Sequence, residues 1–224
     1  MFPLNLAPRA GRRLEILCIG AHCDDIEIGC GATVLALQRR YPECRIHWMV
    51  LTSVPARREE AVLAAHAFVG APALGDVRIG DLPDGLLPAH YGEVKRQFER
   101  MRAVIDPDLV LTHHDDDRHQ DHRLVSEVTW QTFRDHLVWQ YEIPKYDGDL
   151  GRPGLYVPLA EPLAATKVGH IMRSFESQHA KSWFKADNLL ALMRLRGLEC
   201  RSASGFAEAF HARKVVMDLE TAPA

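Results

Sequence analysis

Short apolar runs alternate along this chain with stretches whose apolar residues recur at helical spacing. Residues 14–20, 46–52 and 109–112 are near-continuous apolar runs, the pattern of strands buried on both faces. Residues 77–79, 139–143, 155–157 and 214–219 read as further strands. Between them the periodicity predicts helices over 27–37 and over 57–69, the latter with Val62, Ala65 and Val69 on one face. Val94, Phe98, Met101 and Ile105 mark a third helix, and Leu124, Val125, Val128 and Phe133 a fourth. Two more fall at 164–175 and 187–196, with Gly197 placed to cap the last. Gly70-Ala71-Pro72 and Asp106-Pro107 stop helices, residues 80–85 form a turn-rich loop, and residues 145–153 read as an exposed loop. Strand and helix in alternation, without a repeat or a low-complexity linker, predict an α/β fold: one doubly wound domain over 1–224 with a mostly parallel sheet flanked by helices.

Two of the apolar runs end in clusters of His and Asp. Ala21-His22-Cys23-Asp24-Asp25-Ile26-Glu27 follows the first strand. Thr112-His113-His114-Asp115-Asp116-Asp117-Arg118-His119-Gln120-Asp121-His122 follows the strand at 109–112 and holds four of the chain's 12 His. In a parallel sheet the loops after strands gather at the carboxyl edge, where ligands bind. The two clusters therefore read as halves of one metal site. Each cluster alone has a plainer reading as a polar loop of turn formers and caps, Asp115 to Asp117 above all.

Composition narrows the alternatives. At 224 residues, the chain is long enough to bury a sizeable core. A net charge of -3, with no Lys/Arg-rich run, gives no argument for nucleic acid. No apolar segment is long enough to span a bilayer, and residues 1–13 lack the apolar core of a signal peptide, so a cytoplasmic location is the expectation. Five Cys without a CxxC pair argue against a disulfide framework and against a cysteine-type structural zinc. A nucleotide-dependent oxidoreductase is disfavoured as well. The first loop lacks GxGxxG, and the second strand ends in Thr52-Ser53 rather than an acidic residue for a ribose.

The chemistry follows from the residue types. A catalytic zinc keeps three protein ligands and one open position, and imidazole and carboxylate suit it. His22 and Asp25 can reach one ion from a tight loop, and one His of the second cluster would complete the set. Such an ion brings the pKa of its water to roughly 7. Asp24, beside Asp25, is placed to take the proton, and a further His to stabilise the oxyanion and protonate the leaving group. Residue types alone do not choose among His113, His114, His119 and His122.

The first cluster resembles the AHPDDxE signature of the PIG-L/LmbE-like N-acetylglucosaminyl deacetylases, and His119-Gln120-Asp121-His122 resembles their HPDH signature. Arg57-Arg58-Glu59-Glu60-Ala61, Asp84-Gly85, Tyr141-Glu142-Ile143-Pro144, and Ser177-Gln178 with Lys181 extend the likeness over nearly the whole chain. The resemblance implies a Rossmann-like fold and hydrolysis of the acetamide of an amino-sugar conjugate, with Zn2+ or another divalent ion such as Fe2+ as cofactor. It implies His22, Asp25 and His122 as metal ligands, Asp24 as base, and His119 as oxyanion stabiliser or acid. It further implies that Asp121 orients His119 through a hydrogen bond and that Arg57 contacts the sugar. A small-molecule partner and a homo-oligomer, trimer or hexamer, are implied in the same way. The departures are Cys23 and Gln120, which stand where the family has Pro.

His113, at a strand end, is placed to line the site and contact substrate. Glu27 has two readings, a helix-start charge or an orienter of a ligand. Trp139, Tyr141 and Trp183 are read as packing residues before sugar platforms, and His211 stays unassigned.

Overall fold

Successive residues of the central strands enter two different cores, which is why those strands carry no polar face. The computed structural model describes residues 3–6 and 11–217. Strands β1 (Glu15–Gly20), β2 (Arg45–Thr52) and β4 (Leu109–His113) are buried along nearly their whole length. Ile16, Cys18, Ile46, Trp48, Val50, Leu109 and Leu111 face one core, while Leu17, Ile19, Met49, Leu51 and Val110 face the other. The first core is closed by apolar residues of α1 (Asp25–Arg40), α2 (Pro55–Phe68), α5 (Glu161–Ser174) and α6 (Ala186–Glu199). The second is closed by Val94, Phe98 and Met101 of α3 (Tyr91–Arg102) and by Leu124, Val125 and Val128 of α4 (Gln120–Thr132).

Together with β3 (Leu74–Leu82), β5 (Leu137–Tyr141), β6 (Leu155–Pro158) and β7 (Ala207–His211), these strands form a 7-stranded sheet in the order β3-β2-β1-β4-β5-β7-β6. The five strands from β3 to β5 are parallel, and β7 runs antiparallel to both β5 and β6. The order reverses between β1 and β4, which pair directly through Ile16 and Leu109, Leu17 and Val110, and Cys18 and Leu111. That reversal opens a crevice at the carboxyl ends of β1 and β4, where the loops on either side turn apart.

Glycines let α1 lie close to its neighbours, as its sequence suggests. A Cβ on Gly29 would fall 2.2 Å from the Tyr141 ring, and one on Gly31 would fall 2.5 Å from Phe68. A buried ion pair also enters this helix. Lys167 Nζ donates to the Ile28 carbonyl and to Glu208 Oε1, both at 2.6 Å, while Glu208 accepts from the backbone N–H groups of Ala32 and Thr33. The pair thus ties the backbone of α1 to α5 and β7.

Four sequence expectations need correction. The loop expected over 80–85 begins only at Pro83, because β3 continues to Leu82 beside β2; residues 83–85 form the turn. Gly197 is no cap: it lies inside α6, where a Cβ would meet the Gly205 carbonyl at 2.2 Å, and the left-handed residue after the helix is Arg201, φ 54. The strand expected at 214–219 does not form over 214–217, and residues 218–219 lie outside the described residues. The last strand is β7, hidden from the periodicity because its second residue, Glu208, is charged yet buried. The strand expected at 139–143 starts two residues earlier and ends at Tyr141.

Candidate active site

Because β1 and β4 are neighbours, the two His/Asp clusters leave the same edge of the sheet side by side. His22 follows β1, Asp25 opens α1, and His119 and His122 sit at the start of α4. The second signature therefore lies on a helix N-terminus and not on an open loop. His119 is the N-cap, and its Nδ1 accepts from the backbone N–H of Asp121 at 3.2 Å. With Nδ1 accepting, the neutral ring carries its proton on Nε2. Burial, helped by His122 and His22, holds the His119 imidazolium below its usual range.

Three groups face one another. His22 Nδ1 lies 3.1 Å from His122 Nε2 and 3.3 Å from Asp25 Oδ2, and His122 Nε2 lies 3.6 Å from Asp25 Oδ1. Ligands about 2.0–2.2 Å from a tetrahedral zinc stand roughly 3.3–3.6 Å apart, so these donors are spaced to share one ion. All three residues are at most 7% exposed. The ring nitrogens turned away from this centre each meet a carboxylate. His22 Nε2 lies 3.2 Å from Asp121 Oδ2 and 3.1 Å from Asp84 Oδ1, and His122 Nδ1 lies 3.0 Å from Asp117 Oδ2. Carboxylates behind histidine ligands fix the tautomer and raise ligand basicity.

The electrostatics suit a cation. Burial alone would raise Asp25, but His122, His22 and His113 hold it well below the usual carboxylate range. Burial likewise opposes the charge on Asp117, yet its bonds to His122 and Lys145 hold it ionised. Burial would discharge His22, but Asp25, Asp121 and Asp84 draw a proton onto it and lift it well above its ordinary value. A pocket whose carboxylates pull a proton onto a buried histidine carries an excess of negative charge that a divalent ion would relieve.

Asp24 is 5% exposed and accepts from Arg57 Nη2 at 2.6 Å, so Arg57, expected at the sugar, is engaged by the carboxylate expected to act as base. The Asp121 side chain makes no hydrogen bond with His119. Its oxygens accept from the N–H groups of Gly85 and Leu87, and Oδ2 lies 3.2 Å from His22 Nε2. Its charge still opposes the lowering of His119. His113, expected to contact substrate, is fully buried; its Nε2 meets Asp25 at 3.1 Å, Ala21 N–H at 3.0 Å and the Tyr141 hydroxyl at 3.3 Å. Its ring lies against Asp25 and stacks on that of His122 at 3.9 Å.

The remaining candidates differ in their surroundings. Cys23 is 1% exposed, its thiol donates to the Thr52 carbonyl, and burial pushes it up to about 12. His114 and His211 stack on each other at 3.6 Å, beside Glu142 and away from the His22 ring contacts. Glu27 is fully buried, and its carboxyl oxygens have no hydrogen-bond partner among the described residues; burial lifts its pKa well above the usual range. Glu60 accepts from the backbone and hydroxyl of Ser177, joining two of the more distant elements of the likeness. The sequence reading missed Asp117 and Lys145. Asp117 stands five residues before His122, and nothing in the sequence separates it from Asp115 and Asp116.

Comparison with known proteins shows the family and the fold. Residues 17–133 match the PIG-L family, described as GlcNAc-PI de-N-acetylase. The uncharacterized deacetylase YaiS of Escherichia coli (strain K12) is 31% identical over 139 residues, 55% of this chain and 70% of that protein. Two solved structures share the fold at low identity. The N,N'-diacetylchitobiose deacetylase of Pyrococcus horikoshii has a TM-score of 0.64 at 17% identity, over 88% of this chain and 83% of that one. The 4-carboxy-2-hydroxymuconate hydratase GalB of Pseudomonas putida KT2440 has a TM-score of 0.72 at 16% identity, over 93% and 100%. The fold hosts more than one chemistry, so it does not by itself give the function. No helix among the described residues is long and apolar enough to cross a membrane. By its match over residues 17–133, the chain belongs to the PIG-L family of deacetylases.

Proposed function

We propose that the chain is a divalent-metal-dependent hydrolase, with zinc the best fit, that removes the N-acetyl group from an N-acetylglucosamine-type amino-sugar conjugate. The observation that carries this reading is the set of donors His22 Nδ1, His122 Nε2 and Asp25, spaced 3.1–3.6 Å apart and backed by Asp121 and Asp117. A bound divalent ion would supply Lewis acidity, making water acidic enough to react near neutral pH and polarising the acetamide carbonyl. Asp24 takes a proton from the attacking water, and a proton passes from it to the amine nitrogen as the carbon–nitrogen bond breaks, so acetate and the free amine leave. Arg57 holds the Asp24 carboxylate in place. His119 presents its Nε2–H to the oxyanion that develops on the carbonyl oxygen, and its own Nδ1 is fixed by the helix start. Asp121 orients His22 and His113 supports Asp25. Asp84, whose side chain is 62% exposed beside His22, borders the mouth of the site. The deacetylase of Pyrococcus horikoshii, named for an acetylated disaccharide, supports an amino-sugar substrate.

The test is acetate and amine release from a panel of N-acetylglucosamine conjugates, run with and without chelator beside elemental analysis. Chelator-sensitive release is the expected result. Bound metal with release only from a different N-acyl group would keep the mechanism and change the substrate. Release that survives complete metal removal would overturn the reading.

A further inference from the structure

His122 is held from outside its own helix. Its Nδ1 bonds to Asp117 Oδ2 at 3.0 Å, and that same oxygen accepts from Lys145 Nζ at 2.8 Å. Lys145 belongs to the segment after β5, the next strand along the sheet from β4. Its ammonium has three donors, and it meets three acceptors: Asp117 Oδ2, Asp149 Oδ2 at 2.6 Å and the Ile143 carbonyl at 3.3 Å. Asp149 Oδ2 in turn accepts from the Arg118 backbone N–H at 2.7 Å, and Asp117 Oδ1 accepts from the His119 N–H at 2.8 Å. A continuous chain of bonds therefore runs from His122 through Asp117, Lys145 and Asp149 back to Arg118, stitching the loop after β4 to the loop after β5.

This chain is shielded from water. The side chains of Asp117, Asp149 and Lys145 are 3%, 6% and 13% exposed. A saturated ammonium between two buried carboxylates cannot be removed without leaving both charges uncompensated, and unpaired buried charges move or draw in water. Either response takes Asp117 away from His122 Nδ1.

We propose that Lys145 is a positioning residue for the metal centre: its ammonium pins Asp117 against His122, so the loop after β5 helps set the affinity for a divalent ion. The inference rests on the reading of His122 as a ligand. It gives the loop a role beyond the exposed connection its composition suggests. Tyr146, next to Lys145, is 76% exposed and faces outward from the same anchor.

Zinc affinity of the full chain, measured by competition with a chromophoric chelator, tests the inference without relying on turnover. Lys145→Met and Lys145→Gln should each weaken zinc binding by roughly 10–100-fold, the usual effect of losing a partner that orients a ligand. Lys145→Arg, which keeps a cation, should recover most of that loss. Asp117→Asn should weaken binding to a similar degree, and adding Lys145→Met to it should change little further, because both act through one contact. His122→Ala separates the two readings. If it abolishes tight binding while Lys145→Met and Lys145→Gln bind as the unaltered chain does, the ligand reading stands and the Lys145 inference fails. If His122→Ala binds zinc as tightly as the unaltered chain, the ligand reading itself fails. A Lys145→Met chain that melts lower without zinc but binds zinc normally would mark a structural lysine and also overturn the inference.

Discussion

The Asp121 carboxylate lies 3.2 Å from Nε2 of His22, not on the ring of His119, which is only two residues away. The backbone explains this. His119 caps α4 and Asp121 sits in the helix's first turn, so the Asp121 N–H points at the His119 ring while its side chain turns toward the loop at Gly85 and Leu87. Asp121→Asn keeps the shape and removes the charge behind His22. Zinc affinity should fall by about 10–100-fold together with turnover. A fall in kcat with unchanged metal content would show that Asp121 acts on His119 after all.

Arg57 and Asp24 form a second such pair, at 2.6 Å. Arg57→Met should leave metal content unchanged and lower kcat by about 10²-fold, the scale of a misplaced catalytic group. Lys at this position should restore part of it. Asp24→Asn should lose about 10²–10⁴-fold, the usual contribution of a positioned base, again with metal retained. Loss of metal in Asp24→Asn would exchange the roles of Asp24 and Asp25.

Cys23 interrupts the signature but not the site. Its buried thiol is committed to the Thr52 carbonyl. Cys23→Ala should therefore bind zinc as tightly as the unaltered chain, and the native protein should react slowly with a thiol reagent at this position. A drop in metal content in the alanine variant would make the thiol a ligand.

Lys167 and Glu208 support the helix that carries Asp25. Both are nearly fully buried, and Lys167→Met leaves the Glu208 carboxylate without its cation. A cost of about 3–5 kcal/mol is expected, read as a melting temperature lower by on the order of 10 °C. Lys167→Met/Glu208→Gln should lose less than the two single changes added together, since the stranded charge is gone. Additive losses would mean that the two side chains contribute separately.

Much of the fold is legible in the chain itself. Runs such as Ile16 to Ile19 and Val110 to Leu111 have no polar face, and only a strand covered on both sides tolerates that. The helical periodicity of Val94, Phe98 and Met101 marks the face of α3 that packs on the sheet. The two His/Asp clusters are also visible, because both follow buried strands whose carboxyl ends share one edge of a parallel sheet. The mistakes lie where pattern and environment part company. Glu208 is charged but buried, so β7 was hidden, and Gly197 reads as a helix stop when its role is close contact with Gly205.

What the sequence determined by itself is local: which segments are strand or helix, and which residue types stand at their ends. Only the tertiary structure decided which ends meet. His22 and His122, 100 residues apart, face each other because β4 inserts beside β1, a choice set by the packing of both sheet faces and not by either segment alone. The same packing chose partners among equivalent residues. It put Asp117 behind His122 while Asp115 and Asp116 stay nearer the surface, turned Asp121 to His22, and enclosed His113 behind Asp25. A side chain's chemistry follows from its covalent structure, but its partner depends on which backbone lies across the crevice, and that depends on every contact that places the strands.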